Sequence, residues 1–232
     1  MNRRIPFLAA LTLGLGVSCA ALAAPIVPQF HSFGPLPQAT FGGTGIPNDR
    51  VAVTSEDTIL LALSVSPRYA APAVADNGAG VFTVQAGVSP DAPSPADPYA
   101  LWNFNYFVSG VTQNLTFVLL YDFDPGAATD ALEHGRSTAP GALIPNPAQD
   151  SLNLGMDFLA AAVPGIEPPA LAAFDPNAEG EYSFALVAYT ALGLELARVA
   201  IQVNVLANRV PEPGALLLAG AALLAAGRRR RT

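Results

Sequence analysis

The sequence predicts a mainly β protein whose body is a single β-sandwich, immunoglobulin-like or jelly-roll-like, set between two apolar ends. Three observations predict it. Apolar residues of the body alternate with period two more often than with period 3.6, as strands with one buried face do. The 22 Pro and 20 Gly gather between these runs, where they punctuate turns. No long amphipathic helix pattern is visible.

Taken in chain order, residues 51–54 form a first short strand pattern. Ile59, Leu61, Leu63 and Val65 line one face of the next. Residues 81–86 give another short strand. Trp102, Phe104, Tyr106 and Val108 then alternate with Asn103 and Asn105, so the aromatics share a face and the amides its opposite. Phe117, Leu119 and Tyr121 make a further strand, and Leu152, Leu154, Met156 and Phe158 one more. The connections at 67–80, 87–98, 125–147 and 164–176 are long for a compact domain and leave room for short helical turns such as 129–134.

The last body segment predicts a hairpin. Tyr182, Phe184, Leu186 and Ala188 alternate on one strand, and Val199, Ile201, Val203 and Val205 on the other, with Gly193 in the turn. Gly180-Glu181-Tyr182 also looks like the corner of immunoglobulin-like sandwiches in which a Tyr hydroxyl bonds upstream backbone. About eight strands suggest one sandwich. Two smaller ones dividing near residue 145 are the alternative.

Charge narrows the function classes. Residues 24–209 hold five Arg against 17 acids, a balance of −12, and the chain has no Lys. Such a body lacks the basic face that displaces counterions from phosphates, so a nucleic-acid partner is not expected. The only Cys is Cys19, close to the N-terminus. The body therefore has no disulfide, thiol chemistry or Cys-held metal.

The two ends read as addresses. Arg3 and Arg4 precede an apolar run over 5–17, and small residues follow. Ala21-Leu22-Ala23 fits the A-x-A cleavage pattern, which makes 1–23 a secretory signal peptide cut before Ala24. At the other end, Val210-Pro211-Glu212-Pro213 leads into an uncharged run over 214–227, then Arg228, Arg229, Arg230, Arg231 and Thr232. As a helix that run is about 21 Å long, short of a hydrocarbon core of roughly 30 Å. Its position decides the reading. The Pro pair ends the soluble fold, the four Arg act as a cytoplasmic stop, and their long side chains relieve the mismatch by snorkelling. Both ends agree on a body outside the inner membrane.

A Pro-Glu-Pro triplet, a short apolar helix and a terminal Arg cluster together resemble the PEP-CTERM sorting signal of bacterial exported proteins. The resemblance covers 210–232. It implies that Pro211, Glu212 and Pro213 are the sorting motif, that an exosortase-type membrane peptidase is the partner, and that the tail from about Gly214 is temporary. Residues 39–49, 100–104 and 121–125 also look like a recurring body type among PEP-CTERM proteins, one to which no activity attaches.

Chemistry-bearing residues are sparse. His31 falls in an irregular N-terminal stretch, and His134 lies beside Glu133 in a Gly/Ala-rich loop, where a solvated side chain is expected. Gly42-Gly43-Thr44-Gly45 lacks the Lys and following helix of a phosphate loop and reads as a turn. Asp122, Asp124, Asp130 and Glu133 take the first, third, ninth and twelfth places of a Ca²⁺ loop, but Gly126 and Ala127 break its middle. Asp175, Asn177, Glu179 and Glu181 are a less specific set. The aromatic strand 102–107 could stack on sugars, although aromatics at period two are more often core.

These features lead to an exported, non-enzymatic cell-surface or extracellular-matrix protein, with 1–23 as signal peptide, 24–209 as body and 210–232 as sorting tail with a transmembrane helix. No catalytic residue, metal or cofactor is expected. Extracellular polysaccharide is the candidate ligand, since the resembling family is associated with exopolysaccharide production. The alternative is a secreted, glycosidase-like hydrolase using the loop carboxylates, which needs a carboxylate spacing that a sequence does not supply.

Overall fold

The computed structural model describes residues 24–69, 71–95 and 98–208. The predicted signal peptide with Ala21 and Ala23, and the tail 210–232 with Pro211, Glu212, Pro213, Arg228, Arg229, Arg230 and Arg231, lie outside the described residues. Among the described residues, no helix is long and apolar enough to cross a membrane.

The body is mainly β and contains two sheets. Its strands are β1 (Ser32–Gly34), β2 (Val51–Glu56), β3 (Ile59–Pro67), β4 (Ala75–Asp76), β5 (Val81–Gln85), β6 (Trp102–Gly110), β7 (Leu115–Tyr121), β8 (Gly135–Pro140), β9 (Ala148–Leu152), β10 (Ile166–Glu167), β11 (Gly180–Thr190) and β12 (Glu195–Leu206). The first sheet has the order β1-β2-β3-β6-β9 and the second β10-β8-β7-β11-β12-β5-β4. All neighbours are antiparallel except β12 and β5, which run parallel. Strands from either side of residue 145 pair in both sheets, β9 with β6 and β11 with β7.

The predicted alternations set the inner faces. Ile59, Leu61, Leu63 and Val65 of β3, with Trp102, Phe104 and Val108 of β6, bury against Phe184, Leu186, Val199, Ile201 and Val203 of the second sheet. At the centre, Phe104 and Phe184 stack with ring centroids 4.7 Å apart. Trp102 meets Phe174, Tyr182 and Phe184 in tilted and edge-on contacts. The aromatic strand is therefore core rather than a sugar-stacking face. Each fully buried side chain of this size contributes about 1.5–3 kcal/mol relative to exposure.

Both sheets also bury part of their outer faces. Ile26, in the N-terminal segment, packs on Val118, Leu120, Ala185, Val187 and Ala200 of the second sheet. Gln29 and Ala200 exchange backbone hydrogen bonds at 3.0 and 2.8 Å. On the first sheet, Leu36, Ala39 and Phe41 cover Val51, Ala62 and Phe107. This double coverage explains why β7 and β11 read as nearly continuous apolar runs.

Several expectations need correction. Among the described residues there are twelve strands rather than about eight, because β1, β4 and β10 are two- or three-residue edges and β8 (GRSTAP) carries no alternation. The run from Leu152 to Phe158 is not a strand. Strand β9 stops at Leu152, and Asn153 turns the chain by accepting from Ala100 N at 2.8 Å and donating to Ala100 O and Trp102 O. Residues 129–134 form a tight turn, not a helix, while 3-10 turns occur at Gly141–Leu143 and Asp157–Leu159. Tyr182 does not make the corner bond: its hydroxyl is buried without a partner. Tyr121 instead donates to Leu159 O at 2.7 Å.

Candidate functional site

The acidic stretch after β7 is built from Asp side chains that fold back on their own turns. Asp122 Oδ1 accepts from Asp124 N at 2.9 Å, Asp124 Oδ1 from Gly126 N at 2.8 Å, and Asp130 Oδ1 from Leu132 N at 2.8 Å. Asp175 does the same with Asn177 N at 2.9 Å. Short carboxylates behave this way in turns because they mimic the backbone carbonyl. Glu181 leaves this set, accepting from Ala128 N at 3.1 Å and Gln202 Nε2 at 3.2 Å. Among the described residues, no group of three or more His, Cys, Asp or Glu side chains gathers as a metal site would.

His134 overturns its expected solvation. It is 3% exposed, because the turn carries its ring onto the outer face of β11. Nε2 lies 2.8 Å from Ser183 Oγ and 3.6 Å from Asp122 Oδ2, and Nδ1 lies 3.0 Å from Asp130 O. A carbonyl only accepts, so Nδ1 carries a proton. The Nε2–Ser183 bond runs from the hydroxyl when the ring is neutral and to it when the ring is charged. Asp122 Oδ2 is left without a hydrogen-bond partner. Burial pushes the Asp122 carboxyl above its usual range, opposed by the His134 charge, the Asp124 amide and the Thr129 hydroxyl. A nucleophilic Ser–His–Asp relay has Ser and Asp on opposite ring nitrogens. Here both approach Nε2. His31, in contrast, is half exposed, with Nδ1 3.1 Å from Ser55 O and Nε2 3.4 Å from Glu56.

A cleft of about 550 Å³ opens on the outer face of the first sheet, beyond the apolar cover. Its floor comes from the polar side of the predicted alternation. Asn103 Nδ2 donates to Ser151 Oγ at 3.0 Å and Asn103 Oδ1 accepts from Asn153 at 2.8 Å. Deeper on the same face, Ser66 donates to Asn105 Oδ1 at 3.2 Å and Asn105 to Ser64 Oγ at 3.0 Å. The Gly42–Gly45 run is a turn on the lip, with φ of +77° at Gly42 and +82° at Gly45. On the rim, Arg68 Nη2 lies 2.7 Å from Asp91, and its guanidinium sits 5.1 Å from the Tyr69 ring and 4.5 Å from the Tyr99 ring. Slight burial would raise the Asp91 carboxyl, but hydrogen bonds from Arg68 and Ser89 and the Arg68 charge hold it below its usual value.

Sequence reasoning missed this cleft. The alternation of Asn103 and Asn105 against Trp102 and Phe104 was a readable sign of a polar outer face. The Asp91–Arg68–Tyr69 stack had none, since Arg68 and Asp91 are 23 residues apart.

No curated protein matches the chain. The structure describes nothing of the tail, and the match there stands on sequence alone: residues 209–231 fit the family model described as the PEP-CTERM protein-sorting motif.

Proposed function

We propose that the chain is a non-enzymatic cell-surface or extracellular-matrix protein, exported by a signal peptide over 1–23 and sorted by its C-terminal tail. The observation that carries this reading is the PEP-CTERM match at 209–231. In it, the helix after Pro213 holds the protein briefly in the inner membrane with Arg228, Arg229, Arg230 and Arg231 on the cytoplasmic side, until an exosortase-type peptidase removes it. The delivered body, 24–209, is a β-sandwich of immunoglobulin-like or jelly-roll-like type that binds extracellular polysaccharide. An acidic, Cys-free body in which Asp122, Asp124 and Asp130 each accept from the backbone of their own turn supports binding over hydrolysis.

Intact-mass analysis of protein recovered from the envelope and medium of expressing cells tests the reading. The expected species begins at Ala24 and lacks the apolar segment after Pro213. A full-length chain confined to the cytosol would overturn export and sorting together.

A further inference from the structure

The first sheet covers one part of its outer face with apolar residues, Phe107 of β6 included, and leaves the end around Asn103 and Ser151 open and polar. Asn103, Ser151 and Asp150 line the open part. Asn103 keeps a second amide N–H beyond its bond to Ser151, and Ser151 keeps its hydroxyl proton, so donors and acceptors both remain for a ligand. Tyr69 stands at the rim, 81% exposed and at φ +46°. A bulky residue in the left-handed region is an outlier that its surroundings must hold in place. Here the brace is visible: Asp91 holds Arg68, and the Arg68 guanidinium lies against the Tyr69 ring. The ring gains little burial for folding and already rests against Arg68, a contact that lessens the entropy lost on binding.

Charge selects the ligand class. Asp91 already engages Arg68, the one cation among the described residues that line the cleft, the carboxylate of Asp150 remains in the cleft, and the body around it is strongly acidic. An anionic polymer would meet like charge, with no free cation among the described lining residues to receive it. An uncharged chain of sugars instead offers hydroxyls to amide, hydroxyl and carboxylate groups, and a C–H face to an aromatic ring. We propose that this cleft is a binding site for an uncharged polysaccharide segment, with a sugar ring stacked on Tyr69 and hydroxyls bonded to Asn103, Ser151 and Asp150. The proposal rests on the reading that the body binds polysaccharide.

Calorimetric titration of the full-length chain with cellohexaose and mannohexaose, and with an alginate hexamer as anionic counterpart, tests it. Tyr69→Ala removes the stacking ring, and Thr44→Trp, at the exposed lip, fills the cleft. The expected result is binding of a neutral hexasaccharide over alginate, weakened about tenfold by Tyr69→Ala and abolished by Thr44→Trp, with melting temperatures unchanged. Neutral binding that both variants retain overturns the site while polysaccharide binding stands. Preference for alginate overturns the ligand class. Absence of binding to all three overturns the site and the polysaccharide reading together.

Discussion

The Nε2 atom of His134 stands 3.6 Å from the Asp122 carboxylate, with both side chains out of solvent. Burial raises the Asp122 carboxyl above its ordinary value of 3.8. The unfolded chain therefore releases this proton at lower pH than the folded one. The stability linked to it is complete below pH 3.8 and lost as pH rises through the folded value. Asp122→Asn is uncharged at every pH and keeps the oxygen that accepts from Asp124 N. We expect its melting temperature, relative to wild type, to rise with pH above about 4 and to level off once the folded Asp122 carboxyl is ionised. Circular dichroism melts between pH 4 and pH 8 check this, and an offset independent of pH would contradict it.

Two buried tyrosines should respond differently to the same substitution. Tyr121 donates to Leu159 O at 2.7 Å, whereas the Tyr182 hydroxyl is buried without a partner. Tyr121→Phe orphans a carbonyl and should cost about 1 kcal/mol, while Tyr182→Phe removes an unsatisfied hydroxyl and should be neutral or stabilising. Urea titrations of the two variants decide it. A loss at Tyr182 equal to that at Tyr121 would mean its hydroxyl does find a partner.

The contrast between those residues shows what could be read beforehand. The inner faces were legible wherever one residue in two is apolar, as in Ile59, Leu61, Leu63 and Val65, because a strand's period is local. Strand β8 was not, since GRSTAP owes its place to the edge β7 offers it through pairs such as Leu119 with Ser137. The end of β9 was hidden for a similar reason: Asn153 turns the chain by bonding Ala100 and Trp102, more than 50 residues back. His134 looked solvated because nothing near it in sequence announces Ser183, 49 residues on, as its partner. Polar residues on the outer face were visible as an alternation, yet the cleft needs loops from 42–45 and 68–69 to meet β9, and such a meeting leaves no local pattern.

Gly110 ends β6 where the β2–β3 turn crosses it. Its φ is +109°, and a Cβ built there would lie 1.9 Å from Thr58 O. Val111 N also bonds Thr58 O at 3.1 Å, so the two segments cannot separate without breaking that contact. Gly110→Ala thus combines an unfavourable backbone conformation with overlap against backbone that has no rotamer to yield. We expect a loss of at least about 2 kcal/mol, read as a lower urea midpoint. Gly193→Ala is the control, because φ there is +74° but nothing lies within 4 Å of the added carbon. It should cost about 1 kcal/mol. Equal losses at both positions would remove the contact with Thr58 from the explanation.

The sorting motif makes a separable demand on the chain. Each Pro fixes φ and removes an amide donor, so a triplet with two Pro is a poor sequence for continuing a helix. Replacing Pro211, Glu212 and Pro213 by Ala leaves the apolar run and the Arg cluster intact while removing both Pro and the acid. Membrane insertion should survive, because it depends on apolar length and the positive-inside bias rather than on the triplet. Recognition by the peptidase should not. We expect the triple variant to fractionate with the inner membrane at a mass that retains Thr232, while wild type loses the segment after Pro213. Wild-type protein still carrying Thr232 at the cell surface would refute tail removal, and a variant processed as efficiently as wild type would refute the role of the triplet.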